Sequence, residues 1–180
     1  MRVITGTARG RRLETPANDD IRPTTDNVKE AIFNIIQFDI EGRRVLDLFA
    51  GTGQLGIECL SRGAAEAVFV DQDREAVRII RNNLKVCGLR GTVVQQESLS
   101  FLRGCGKFDL IFIDPPYDSE LYEPAIKIIK LVDILSEGGI IVVEARRSMA
   151  MPEVDLPYRK IKEYCYGKVK ICTYTKGEPV

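Results

Sequence analysis

The sequence predicts one α/β domain in which helices cover both faces of a mainly parallel β-sheet. From residue 44 onward, short apolar segments alternate with segments of helical periodicity. The short segments are apolar throughout, which is typical of parallel strands buried on both faces. The chain then ends in two segments of alternating polarity joined at Tyr166-Gly167, which predict a hairpin with its last strand antiparallel in the sheet. A length of 180 residues suits one domain with a small appendage.

The first part of the chain predicts a short basic extension. Two segments that flank Ala8-Arg9-Gly10 indicate a β-hairpin. Thr25 or Asp26 can cap the helix that follows, whose apolar residues repeat every three or four positions. We therefore expect residues 1–24 to form an N-terminal extension and residues 25–180 to form the main domain.

The remaining elements follow from the spacing of apolar residues and from glycines that end helices. The predicted strands span residues 3–7, 11–15, 45–49, 67–71, 92–94, 108–114 and 140–143, and the final hairpin pairs 158–165 with 168–175. The predicted helices lie within residues 26–41, 57–61, 73–87 and 119–135.

Composition excludes several kinds of chemistry. The chain has no histidine, which excludes Ser-His-Asp hydrolysis, Cys-His proteolysis and histidine-containing zinc sites. Its five cysteines form no CxxC pair, so we expect no bound metal and a reduced, cytoplasmic protein. No apolar run approaches the roughly 18 residues that a membrane-spanning helix needs, so we expect no membrane partner.

Positive charge is concentrated at the two ends of the chain. Residues 1–12 carry a net charge of +4 and residues 146–180 also carry +4, so residues 13–145 carry −8 in a chain of 26 basic and 26 acidic residues. Two basic ends are consistent with a polyanionic partner. Charge alone fits two solvated surfaces equally well.

A glycine-rich loop follows the first strand of the main domain. Gly51 to Gly56 reads GxGxxG, and Asp71 lies twenty residues after Gly51, at the end of the next strand. This spacing is typical of a loop that approaches a nucleotide cofactor, with the acid on a ribose hydroxyl. The pattern alone fits a NAD enzyme and an S-adenosylmethionine (SAM) enzyme equally.

Asp47 favours SAM over NAD. It lies four residues before Gly51, where a carboxylate would repel a pyrophosphate but attract the ammonium and sulfonium groups of SAM. A structural role for Asp47 is the alternative, because an acid within an apolar strand needs a partner.

A second motif, Asp114-Pro115-Pro116-Tyr117, follows the fourth strand at the edge where open α/β sheets bind ligands. The Asp114 carboxylate and the Pro115 carbonyl can each accept an N–H of an exocyclic base amine and aim its lone pair at a methyl group. The prolines stiffen the backbone, and Tyr117 can stack on the base. The alternative is a Pro-Pro loop with a capping aspartate.

Two further candidates fit either a functional role or a purely structural role. Glu97 ends the third strand, where it could meet the adenine of a cofactor or lie exposed in a turn. Arg9, Arg11 and Arg12 could bind phosphates or belong to a solvated hairpin.

Four segments together resemble a known family. They are T-A-R-G-R-R-L from residue 7, R-P-T-T-D-N-V-K-E-A-I-F-N from residue 22, D-L-F-A-G-T-G-Q-L-G-I-E-C-L-S-R-G-A from residue 47 and F-D-L-I-F-I-D-P-P-Y from residue 108. They are similar to the bacterial small-subunit (16S) ribosomal RNA guanine-N2-methyltransferases, the RsmD-like conserved RNA methylases. The resemblance implies the Rossmann-like SAM-dependent methyltransferase fold, a seven-stranded sheet in order 3-2-1-4-5-7-6 with strand 7 antiparallel.

The resemblance also implies roles for individual residues. The cofactor would be bound by Asp47, Phe49, Gly51 and Gly53 at its methionine part, by Asp71 at its ribose, and by Glu97 and Ser98 at its adenine. Asp114, Pro115 and Tyr117 would hold the guanine, Arg22 and Thr24 would border the active site, and Arg9, Arg11 and Arg12 would contact RNA. The family usually has Asp-Ala where this chain has Glu97-Ser98.

The predicted function is therefore direct in-line methyl transfer from SAM to the exocyclic N2 amine of a guanine in 16S ribosomal RNA. The implied partner is that RNA within an assembled small ribosomal subunit, and we expect a monomeric enzyme. Three alternatives stay open: adenine N6 methylation of DNA or another RNA, a NAD oxidoreductase, and a non-catalytic RNA-binding module.

Overall fold

A computed structural model describes residues 1–16, 26–116 and 119–177. The strands are β1 (Arg44–Asp47), β2 (Glu66–Asp71), β3 (Thr92–Gln95), β4 (Phe108–Ile113), β5 (Leu135–Arg146), β6 (Tyr158–Tyr166) and β7 (Val169–Lys176). The helices are α1 (Asp26–Ile35), α2 (Gln54–Ser61), α3 (Arg74–Cys87), α4 (Ser98–Leu102) and α5 (Tyr122–Val132).

The strands form one seven-stranded sheet in the order β3-β2-β1-β4-β5-β7-β6. Strands β1 to β5 pair in parallel, whereas β7 lies antiparallel between β5 and β6. This topology confirms the predicted α/β fold class and the antiparallel position of strand 7. It follows from apolar strands that need cover on both faces, together with a terminal hairpin too short to cross over the sheet.

Each face of the sheet is covered by its own hydrophobic core. One core contains side chains of α1, α2 and α3, and the other contains side chains of α4 and α5. The third glycine of the loop, Gly56, permits this close packing, because a Cβ there would lie 2.3 Å from the ring of Phe69 on β2.

The largest difference from the predicted elements is α4, which the sequence did not indicate. Its five residues are too few to show helical periodicity, and it begins because the Glu97 side chain accepts hydrogen bonds from Leu99 and Ser100. Helix α5 is shorter than predicted, since Asp133 adopts a left-handed conformation that ends it. Strand β5 accordingly begins at Leu135, before the two glycines predicted to precede it.

The N-terminal hairpin is also shorter than predicted. Among residues 1–16 the two segments share one antiparallel bridge, between Arg2 and Arg12. The predicted strands do not extend further because the backbone from Ile4 to Ala8 forms hydrogen bonds with α2 instead. Val3, Ala8 and Leu13 are buried in the same core as α1 and α2.

Neither a membrane-spanning helix nor a cluster of metal ligands occurs among the described residues. No helix within them has both the length and the apolar character needed to cross a membrane. No three or more Cys, Asp or Glu side chains within them are grouped as metal ligands would be.

Candidate active site

The two predicted motifs meet at one edge of the sheet. Asp47, at the end of β1, is in register with Phe69 on β2 and with Phe112 on β4. Asp71 and Asp114 each lie two residues further along those neighbouring strands. The glycine-rich loop, the predicted ribose acid and the Asp114 motif therefore share the carboxyl edge of three adjacent strands.

Asp71 holds the glycine-rich loop in place. Its two carboxylate oxygens accept hydrogen bonds from the backbone N–H of Gly51 at 2.8 Å and of Asp73 at 2.9 Å. Gly51 and Gly53 have φ values of 54° and 75°, in the left-handed region that favours glycine. A Cβ at Gly51 would meet no described atom within 4 Å, so this turn faces open space that a ligand can fill.

Asp47 is buried and forms a structural contact. Its carboxylate accepts a hydrogen bond of 3.0 Å from the backbone N–H of Gly56 in α2. Burial raises the pKa of Asp47 to about 7, against the lowering effect of that bond and with a smaller contribution from Asp71. The side chain thus anchors the loop, while its contact with a cofactor stays a prediction.

Gln54 is a candidate that the sequence analysis missed. It is the first residue of α2, directly after the loop, and its side-chain oxygen is buried without a hydrogen-bond partner among the described residues. A buried acceptor of this kind fits a ligand that brings a donor, such as an ammonium group. The available signal was its position inside the GxGxxG motif.

Glu97 and Ser98 are fixed by their own helix. Glu97 accepts hydrogen bonds from the backbone N–H of Leu99 at 2.8 Å and of Ser100 at 2.7 Å. A hydrogen bond from the Ser100 side chain is the main cause of the lowered pKa of Glu97, and the two backbone bonds lower it further. Ser98 is buried and donates a hydrogen bond of 2.7 Å to the Leu48 carbonyl, which connects α4 to the end of β1.

The base-binding motif is described in part. Asp114 is half-buried, Pro115 is buried and Pro116 is exposed at the end of β4. Phe49 is half-buried and packs against the core that contains α4 and α5. Three residues predicted to act here, Tyr117, Arg22 and Thr24, lie outside the described residues.

The predicted RNA-contacting arginines lie on an anchored loop. Arg9, Arg11 and Arg12 are exposed. Two α2 side chains hold the loop beneath them: Glu58 accepts the N–H of Ile4 and Thr5, and Ser61 accepts the N–H of Ala8. Lys29 of α1 forms a fully buried ion pair with Glu58, with an N–O distance of 3.0 Å.

The strand order and the glycine-rich loop held by Asp71 are those of the Rossmann-like methyltransferase fold. The family described as "conserved hypothetical protein 95" matches residues 1–175. The chain is 39% identical to YlbH of Bacillus subtilis over 98% of this chain and 99% of that protein. It is 34% identical to ribosomal RNA small subunit methyltransferase D of Escherichia coli over 98% of this chain and 90% of that protein. The chain therefore belongs to this family, that of the small-subunit methyltransferases D.

Solved structures agree with the fold. The yhhF protein of Escherichia coli superposes with a TM-score of 0.88 at 34% identity, and the match covers 98% of each chain. SMU.776, solved in complex with SAH, superposes with a TM-score of 0.66 at 17% identity, covering 81% of this chain and 48% of that chain. At that identity the second likeness shows the fold.

Proposed function

We propose that this protein is a SAM-dependent methyltransferase that methylates the exocyclic N2 amine of a guanine in small-subunit ribosomal RNA. The observation that carries the proposal is the placement of Asp114 and Pro115 on the sheet edge that also bears the glycine-rich loop and Asp71. The relative in Escherichia coli is named as a methyltransferase of the small-subunit RNA, which supports the same substrate class.

The glycine-rich loop and its neighbours would hold the cofactor. The open turn at Gly51, the buried acceptor of Gln54 and the carboxylate of Asp47 fit the cationic methionine end of SAM. Asp71 keeps acceptor capacity for ribose hydroxyls beyond its two backbone bonds. Glu97 and Ser98 lie at the start of α4, shortly after β3 ends, where the adenine would contact them. When bound, SAM supplies a methyl group on a positively charged sulfur.

Asp114 and Pro115 would position the guanine. The carboxylate and the carbonyl each accept one N–H of the amine, which turns its lone pair toward the methyl group. Catalysis then depends on holding two reactants in line, which can contribute roughly 7–11 kcal/mol when the geometry is favourable. A chain without histidine is suited to this reaction, because the amine loses its proton readily after it acquires the methyl group.

The anchored arginine loop would bind RNA phosphates outside this pocket. Arg9, Arg11 and Arg12 share one exposed segment, and phosphate contacts position a nucleic acid without reading its sequence. We propose that Tyr117 stacks on the guanine and that Arg22 and Thr24 border the active site. An assembled small subunit is the proposed substrate and the cytoplasm the proposed location, with the enzyme acting as a monomer.

Methyl transfer from labelled SAM tests this function. Unmethylated small ribosomal subunits, free 16S RNA and DNA are incubated separately with the protein, and the products are digested to nucleosides and separated. We expect label in N2-methylguanosine, with small subunits as the best substrate. Label in N6-methyladenosine, or transfer to DNA alone, would contradict the proposed substrate and favour the adenine alternative.

A further inference from the structure

An open groove separates α1 from the edge strand β6. It has a volume of about 600 Å³ and is lined by Tyr164 and Tyr166 of β6 and by Asn27, Glu30 and Asn34 of α1. Among the residues that the structure describes, no predicted site residue lines it. Tyr174 of the same hairpin covers the sheet, because it is fully buried and its hydroxyl donates a hydrogen bond to the Pro152 carbonyl. Tyr166, by contrast, is 40% exposed.

Strand register places this groove on the active-site edge of the sheet. Tyr166 pairs with Val169, which pairs with Arg146 on β5. Since Val143 of β5 pairs with Ile113 of β4, Arg146 lies level with Pro116. By the same register, Tyr164 lies level with Asp114. Three strand spacings of about 4.8 Å separate β6 from β4, so the groove lies roughly 14 Å along this edge from Asp114.

The groove presents the groups that bind an unpaired base. Tyr166 offers an exposed aromatic face, whereas Tyr164 packs against the core and has the Lys162 ammonium 4.9 Å from the centre of its ring. The amides of Asn27 and Asn34 can donate to and accept from a base edge, and the Glu30 carboxylate can accept from a base amine. Glu30 would repel a phosphate inside the groove, so its chemistry favours the base there.

Positive charge surrounds the same end of the sheet. Arg147 and Lys168 are exposed and adjacent, since the Arg147 N–H donates to the Lys168 carbonyl at 2.9 Å. Both residues lie next to the strand ends that carry Tyr166 and Arg146. Basic groups around an aromatic groove are the arrangement by which proteins bind single-stranded nucleic acid.

We propose that this groove binds an unpaired nucleotide of the ribosomal RNA that flanks the target guanine. Its base stacks on Tyr166 beside Tyr164, its edge meets Asn27, Asn34 and Glu30, and its phosphates face Lys162, Arg147 and Lys168. The groove would hold the RNA chain on one side of the base pocket at Asp114, and the arginine loop would hold it on the other side. This inference rests on the proposed function, since it names a further part of the same substrate.

Steady-state kinetics on unmethylated small subunits test the site with Tyr166→Ala, Tyr166→Phe and the control Phe38→Ala. Phe38 is 91% exposed and follows the opposite end of α1, so its loss should change nothing. We expect Tyr166→Ala to raise KM roughly 5- to 100-fold, which corresponds to about 1–3 kcal/mol of stacking, with SAM affinity unchanged. Tyr166→Phe keeps the ring and should restore the wild-type KM.

Ultraviolet cross-linking of the wild-type complex gives a second readout. We expect Tyr166 or Tyr164 to link to a nucleotide close in sequence to the methylated guanine. An unchanged KM for Tyr166→Ala, or a cross-link from these tyrosines to a ribosomal protein, would overturn the inference while wild-type methylation still supported the proposed function. Absence of methyl transfer by the wild type would instead overturn both.

Discussion

Asp47 anchors the glycine-rich loop, and we propose that the same carboxylate attracts the cofactor. Its carboxyl is buried against Gly56, and burial raises its pKa to about 7. In the free protein the carboxyl is thus protonated in a growing fraction of molecules as pH falls through about 7. A bound cation favours the ionised form, so the cofactor must displace that proton at low pH.

We therefore predict that SAM affinity is highest above pH 7 and decreases as pH falls below it. Titration calorimetry of the wild type and Asp47→Asn from about pH 6 to about pH 8 measures this. Asp47→Asn has no such carboxyl and should bind weakly at every pH, without the decrease. A parallel pH dependence in both proteins would show that Asp47 is not the titrating group.

Asn83 of α3 connects the glycine-rich loop to the N-terminal segment. Its amide donates to the Thr52 carbonyl at 3.0 Å and to the Glu14 carbonyl at 3.1 Å, and it accepts from the Glu14 N–H at 2.7 Å. The side chain is fully buried. Sequence reasoning missed it because a polar residue within an amphipathic helix gives no sign of what it contacts.

We predict that Asn83→Leu weakens SAM binding roughly tenfold and lowers the melting temperature. The variant leaves the buried Thr52 carbonyl without a partner, at about 1–3 kcal/mol, and removes two partly buried bonds with the Glu14 backbone. Asn82→Ala is the matched control, because Asn82 donates to the Glu14 side chain and its loss leaves the bonds of Asn83 with Thr52 and with the Glu14 backbone in place. Equal SAM affinity in the two variants would contradict this coupling.

At the scale of elements, the Lys29–Glu58 pair holds α1, α2 and the N-terminal segment together. Glu58 is fully buried and accepts hydrogen bonds from two backbone N–H groups as well as contacts from Lys29 and Arg62. Lys29 also donates to the Arg2 carbonyl at 2.8 Å. Removal of one partner leaves the other charge buried and uncompensated.

We predict that Glu58→Ala lowers the free energy of unfolding by about 3–5 kcal/mol, measured by urea denaturation. The matched control is Glu75→Ala, which removes an exposed carboxylate that pairs with Arg78 and should change the free energy of unfolding far less, because solvent screens that pair. If the two substitutions were equally mild, the buried pair would not be what anchors the N-terminal segment.

The elements also show which parts of the fold were predictable. Apolar strands, helix-ending glycines such as Gly88 and the Tyr166-Gly167 turn predicted the sheet, because each acts through local physical chemistry. Helix α4 and the short N-terminal bridge were not predictable, since Glu97 and Glu58 act through contacts that sequence spacing does not reveal. The glycine loop and Asp114 were found as motifs, whereas the unpartnered oxygen of Gln54 is visible only in the structure and the tyrosine groove follows from strand register.

At the scale of the whole molecule, we expect exposed positive charge to determine the affinity for RNA and to have little effect on the affinity for SAM. Arg9, Arg11 and Arg12 lie on one exposed loop that is anchored to the core. Each phosphate contact to RNA single strands contributes about −0.7 to the slope of log affinity against log salt. The loop should therefore make substrate binding strongly salt-dependent.

We predict that replacing these three arginines with alanine reduces that slope by about 2 and leaves SAM affinity unchanged. Filter binding of small subunits over a range of salt concentrations measures the slope. Arg90→Ala removes an exposed arginine elsewhere and should leave the slope as in the wild type. An unaltered slope in the triple variant would place the RNA contact on another surface.

The most direct test of the central claim compares the wild type with Asp114→Asn in single-turnover methylation of small subunits, with SAM affinity measured in parallel. Asparagine keeps the size of the side chain but removes the carboxylate that accepts the amine N–H. We predict equal SAM affinity and at least a roughly hundredfold slower formation of N2-methylguanosine. Wild-type rates in Asp114→Asn would contradict the assignment of this sheet edge as the site of methyl transfer.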